Sequence, residues 1–187
     1  MTIGLYGGTF NPPHKGHRLV SLMALRRLGL DRVWWMVTPG NPLKDKTGLP
    51  TAAARASEAR ALAGSAQIDV TTFEERIGAR YTIDTLRFLK RRYPGVRFVW
   101  IMGADNLAGF DRWHGWREIA EIMPIAVIDR PGWTLKAVRS RAAVALAENR
   151  LPEAQAKALP QAKRPAWIFL HGPRSHLSST RLRQLGQ

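Results

Sequence analysis

Cysteine is absent from the 187 residues, which excludes disulfide bridges and thiolate metal sites and leaves no mark of redox compartment. No apolar run approaches the roughly 18 residues of a membrane span, and the chain enters a strand without a basic leader, so a cytoplasmic protein is expected. Acidic residues are scarce: 14 Asp and Glu stand against 29 Lys and Arg, a formal charge of +15. Alone, that excess would fit a nucleic-acid face. The basic residues are dispersed, however, as at Arg26-Arg27, Lys90-Arg91-Arg92 and Arg139/Arg141, with no recognition helix and no aromatic-interleaved platform for a single strand. Two phosphate fingerprints are also missing, since there is no GxGxxG and no GKS or GKT follows the glycines. Neither nucleic acid nor membrane is therefore expected as a partner.

What is present centres on residues 3–19, IGLYGGTFNPPHKGHRL. A short apolar strand breaks into a turn containing Gly7, Gly8, Pro12 and Pro13, which delivers His14 and His17 to a helix start. A strand, a tight glycine turn and a helix N-terminus bring backbone N–H groups onto an anion. The histidines are either surface residues after a stiff turn or a pair sharing one helix face, close enough to hold one phosphate.

The remaining chain alternates strand and helix. A helix over 17–29 ends at Gly29; Arg32–Val37 reads as a buried strand; an alanine-rich helix over 51–63 implies close packing; Ile68–Phe73 is a strand. Thr82 is expected as N-cap of a helix to Tyr93, and Val96–Met102 as the next strand. Met123–Ile128 and Trp167–Leu170 complete the strands, with one helix over 134–149 and a weakly patterned, irregular segment over 151–165 between them. This spacing predicts one α/β domain over 1–187: a Rossmann-like open parallel sheet of five or six strands with helices on both faces.

Three polar clusters should then share the carboxyl edge of the sheet. The first is the His14/His17 turn. At the second, Asp105 follows a buried strand, as a cap or as a ligand contact, and the Phe110–Trp116 loop holds two Trp, one for the core and one able to stack on a heterocycle. At the third, Ser178, Ser179 and Thr180 precede Arg183, which reads either as helix capping or as a phosphate nest in a C-terminal helix from about 178.

GGTFNPPHKGH, Asn41-Pro42-Leu43-Lys44, ERxGxxYTIDTL from Glu75, MGADNL through FxxWxxW, and Ser178-Ser179-Thr180-x-Leu182-Arg183 together resemble the HxGH nucleotidyltransferases, and among them the bacterial nicotinate-mononucleotide adenylyltransferases. The resemblance spans most of the chain. It implies a nucleotidyltransferase-type fold and adenylyl transfer from ATP to nicotinate mononucleotide, giving deamido-NAD and pyrophosphate, with Mg²⁺ carried on ATP. No carboxylate cluster suits a protein-held metal. Transfer to another phosphorylated acceptor, such as nicotinamide mononucleotide or phosphopantetheine, is the alternative, and a nucleic-acid module a weaker one.

By the same resemblance His14, His17 and Arg183 act on the transferring phosphates. Gly7, Gly8, Thr9, Phe10, Lys44, Ser178, Ser179 and Thr180 hold the phosphates, and Gly103 and Asp105 the adenosine half. Thr82, Thr85 and Trp113 form the nicotinate pocket, with Trp113 stacking. Arg80 stands where a small Ser is common, and either favours the nicotinate carboxylate or faces solvent. Asn11 and Leu177 depart from the usual Asp and Ile. A homo-oligomer is compatible with all of this.

Overall fold

The computed structural model describes residues 1–39 and 48–173. Among the described residues, seven strands form one parallel sheet: β1 (Thr2–Gly8), β2 (Arg32–Val37), β3 (Ile68–Thr71), β4 (Arg97–Gly103), β5 (Ile125–Ile128), β6 (Arg150–Leu151) and β7 (Trp167–Leu170). Their order is β3-β2-β1-β4-β5-β7-β6. The order reverses between β1 and β4, which leaves a crevice at the carboxyl ends of those two strands.

Strict alternation along each strand divides the core in two. In β4, Phe98, Trp100 and Met102 point to one layer while Val99 and Ile101 point to the other. One layer is closed by helix α1 (Lys15–Leu28), helix α2 (Ala52–Ala63) and the 3₁₀ helix Glu153–Gln161. The opposite layer lies under α3 (Phe73–Arg76), α4 (Thr82–Arg92), α5 (Ala104–Leu107), α6 (Trp116–Ile122), α7 (Thr134–Val138) and α8 (Arg141–Ala145). Both faces being covered is why the strands read as continuous apolar runs.

α1 ends at Gly29, in the left-handed region with φ 64°, and α2 begins at Thr51, whose hydroxyl accepts from the Ala54 N–H. Four expectations need correction. The sheet has seven strands rather than five or six, because Arg150–Leu151 adds a two-residue edge strand beside β7. The supposedly irregular 151–165 holds the ordered 3₁₀ helix, with Ala156 and Leu159 buried against α1 and β7. Only two of its residues, Ala156 and Leu159, are buried, too few to set a period in the sequence.

The helix over 134–149 is broken. Ser140 caps a new helix by accepting from the Ala143 N–H, and Leu135 and Val144 are left 66% and 65% exposed. Finally, Tyr81 rather than Thr82 occupies the N-cap of α4. The Tyr81 N–H donates to Asp84 Oδ2 at 3.0 Å, making Thr82 the first helical residue.

Candidate active site

β1 carries Gly7 and Gly8 to the crevice: a Cβ on Gly7 would lie 2.7 Å from the Trp100 ring, too close unless that ring shifts, and one on Gly8 3.3 Å from Phe10, a tight contact. Beyond Thr9 the chain turns at Phe10, whose φ of 48° is unfavourable for an aromatic residue. The Phe10 ring is buried, stacked on Trp35 with centroids 5.1 Å apart and tilted against His17 at 4.7 Å. Its side chain thus supports the site from beneath.

His14 is the N-cap of α1 and His17 lies in its first turn. Their rings are 3.8 Å apart. The His14 backbone N–H donates to His17 Nδ1 at 3.1 Å, so a neutral His17 carries its proton on Nε2 and presents that N–H as a donor. Both rings are buried; His14 Nδ1 has no hydrogen-bond partner among the described residues. Burial, then the charge of Arg130, lowers the His14 pKa to about 4; burial, then His14 and Arg130, holds His17 well below the ordinary range. The ligand-free pair is therefore neutral at pH 7, each ring carrying one N–H donor.

Arg130 follows β5 and was not picked out by sequence reasoning. Its guanidinium, 17% exposed, places Nη1 3.4 Å from Asp105 Oδ2 and interacts electrostatically with Tyr6 of β1. Burial opposes its charge, but Tyr6 and Asp105 more than offset that and raise its pKa. Asp105 Oδ1 is buried without a hydrogen-bond partner among the described residues, a free acceptor at the crevice. Gly103 makes this packing possible, since a Cβ there would strike Asp105 Oδ1 and lie 3.0 Å from Arg130 Nε. Asp105 sits inside the first turn of α5 with Gly103 as N-cap, so capping does not account for it. Arg130 had one legible signal: like Asp105, it is a charged residue just past a buried strand.

Of the two tryptophans after α5, one lies in the core, as one of the two was expected to. Trp116 is buried. Trp113 is half-buried, held edge-on by Phe110 at 5.5 Å and Trp100 at 6.2 Å. His114 stacks on Tyr81 at 4.4 Å, joining this loop to the start of α4. Arg80 is exposed with its guanidinium 5.3 Å from the Tyr81 centroid. Thr82 is half-exposed, whereas Thr85 is fully buried and donates its hydroxyl to Glu74 Oε1 at 2.7 Å. The Thr85 side chain is thus committed to the interior. Glu74 was missed; burial raises its pKa against the lowering effect of that hydrogen bond.

Lys44, Ser178, Ser179, Thr180 and Arg183 lie outside the described residues. Among the described residues no group of three or more His, Cys, Asp or Glu side chains could hold a metal ion, and no helix is long and apolar enough to cross a membrane. The described site therefore offers hydrogen-bond donors, one fixed cation and one free carboxylate oxygen, a set suited to an anion and a polyhydroxyl group.

Comparison with known proteins agrees with this geometry. The cytidylyltransferase-like family matches residues 5–185. A Methylorubrum extorquens protein named "Probable nicotinate-nucleotide adenylyltransferase" is 62% identical over 183 residues, 98% of this chain and 99% of its own. An Agrobacterium fabrum protein of the same name is 56% identical over 98% of each chain. In fold, the chain is similar to Plasmodium falciparum nicotinic acid mononucleotide adenylyltransferase complexed with NaAD, with a TM-score of 0.72 at 17% identity over 98% of this chain and 82% of that one.

Proposed function

The chain belongs to the cytidylyltransferase-like family, and from that premise we propose that it transfers the adenylyl group of ATP to nicotinate mononucleotide, forming deamido-NAD and pyrophosphate. The observation that carries the reading is the near full-length identity to proteins of that name. The buried His14/His17 pair at the sheet crevice is the matching chemistry. One nucleotidyltransferase domain over 1–187 is the corresponding organisation.

The acceptor phosphate is already a nucleophile at pH 7, so no side-chain base is required. One of its oxygens bonds to the α-phosphorus in line with the departing bridge oxygen; that P–O bond breaks, and pyrophosphate leaves. The protein's task is alignment and stabilisation of charge on the equatorial oxygens. In this reading the His17 Nε2–H and the His14 ring meet the transferring phosphate; its negative charge favours protonation of His14, while His17, whose Nδ1 accepts from the His14 backbone N–H, donates as the neutral ring. Arg130 contributes a permanent cation. Asp105 Oδ1 accepts from the ribose hydroxyls, with Gly103 giving room. Trp113 stacks on the pyridine ring near Thr82, while Lys44, Ser178, Ser179, Thr180 and Arg183 hold the outer phosphates. Mg²⁺ would enter on the polyphosphate, held by its oxygens and water, and neutralise part of its charge.

The test is pyrophosphate release from ATP and Mg²⁺ with nicotinate mononucleotide, nicotinamide mononucleotide and phosphopantetheine as acceptors. Preference for nicotinate mononucleotide is expected. Equal or faster release with either of the others would sink the assignment.

A further inference from the structure

Arg55 is among the largest fully buried side chains, 1% exposed, yet it lies outside the set that meets the substrates. It shares a face of α2 with Ala52, Ala56, Ala59 and Ala63, whose small side chains leave room for a guanidinium. Nε donates to the Pro50 carbonyl at 2.8 Å, Nη1 to the Thr9 carbonyl at 2.5 Å and Nη2 to the Thr38 carbonyl at 2.9 Å. One rigid fork thus joins the turn after β1, the end of β2 and the approach to α2. A buried cation is costly unless its donors are satisfied, and an ammonium could not match this planar three-way pattern.

The Thr9 carbonyl shares a planar amide with the Phe10 N–H, so holding that oxygen fixes the plane from which the Phe10 φ of 48° departs. Such a conformation persists only where the surroundings determine it from several sides. Arg55 does so through the carbonyl; Trp35, stacked at 5.1 Å, and Tyr6, edge-on at 5.9 Å, do so through the ring. The same Phe10 ring lies 4.7 Å from His17. Thr38 strengthens the coupling, because its N–H donates to the Gly8 carbonyl at 3.0 Å.

We propose that Arg55 is a positioning residue for adenylyl transfer: its buried guanidinium fixes the Thr9–Phe10 peptide and, through the Phe10 ring, the imidazole of His17. The proposal rests on the adenylyl-transfer reading for its kinetic consequence only; the geometric consequence can be read without substrate.

The experiment compares the full-length protein with Arg55→Met and Arg55→Lys, by steady-state kinetics with ATP and nicotinate mononucleotide and by NMR of ¹⁵N-labelled imidazoles. Thermal unfolding establishes that each sample is folded. Arg55→Met is expected to lower kcat about 100-fold, the scale of a small misplacement at a reacting centre. KM for ATP should stay within about threefold, and the His17 ring resonances should shift in the folded protein. Arg55→Lys should recover part of the rate. Unchanged kcat in both variants would overturn the proposal. So would an activity loss that merely tracks the unfolded fraction, with the His17 resonances in place. If Arg55→Met does not fold, Arg55→Lys decides by the same readouts. Should the wild type fail to use nicotinate mononucleotide, the functional reading fails, while the His17 resonances still decide the positioning role.

Discussion

The His14 backbone N–H donates to Nδ1 of His17 at 3.1 Å, and this single bond decides which His17 nitrogen is left to meet a ligand. With Nδ1 occupied, Nε2–H is a donor in the neutral ring. In the proposed reaction a helix N-terminus and two imidazoles would converge on one anion without either ring being charged beforehand.

The first expectation concerns that donor. Replacing His17 with Ala should lower kcat by about 100- to 1,000-fold, the usual cost of losing one transition-state donor, and change KM for ATP by less than about threefold. Steady-state kinetics checks it; unchanged turnover with weakened ATP binding would contradict the role.

Arg130 should act on both histidines at once. Its charge helps depress them, so Arg130→Met should move the His14 pKa upward from about 4, read by imidazole NMR. The same change removes a fixed cation and leaves Asp105 without its partner at 3.4 Å, so kcat should also fall by about 100-fold. A faster enzyme, or an unmoved His14, would count against this electrostatic account.

Stability should depend on pH in a stated direction. The His14 pKa is about 4 in the folded chain against 6.5 ordinarily, so between those values the unfolded state binds more protons. Folding stability therefore falls as pH drops from about 6.5 towards 4, by up to about 3 kcal/mol from this residue. Unfolding of the ligand-free protein should show it, and His14→Asn should flatten the slope. A nucleotide that binds only the folded state should raise Tm at each pH.

Under the proposed function, Trp113 should separate the two substrates. Trp113→Ala should raise KM for the acceptor by about tenfold or more while leaving KM for ATP nearly unchanged, and Trp113→Phe should retain most of the stacking. Equal loss for both substrates would instead mark Trp113 as a prop for Trp100 and Phe110.

The buried Thr85–Glu74 pair is a matter of stability. Thr85→Val strands a buried carboxyl and should cost about 1–3 kcal/mol in denaturant unfolding. Glu74→Gln keeps an acceptor for the hydroxyl and removes a charge that burial disfavours, so it should be neutral or stabilising at pH 7.

Each element carries its own burial pattern in the sequence, and there the reading was closest. Gly29 ends α1, Arg32–Val37 is β2 and the alanine-rich helix is α2, all properties of neighbours in the chain. His14 and His17 lie three residues apart, so their pairing was local too. Two of the misses offer no period to read. Ala156 and Leu159 are the two buried residues of their 3₁₀ helix, and the two-residue β6 is too short to show any period.

By itself, then, the sequence determined the strand and helix types, the covered parallel sheet and the histidine turn, because periodicity and capping act over a few residues. Only the tertiary structure decided that Arg130 lies over Gly103 against Asp105 and Tyr6, and that Arg55 grips Thr9 and Thr38. Asp105 and Tyr6 are 25 or more residues from Arg130 along the chain, and they meet it only because β4 stands between β1 and β5. A charged residue's own neighbours say that it is polar; the strand order says which buried oxygen it must satisfy.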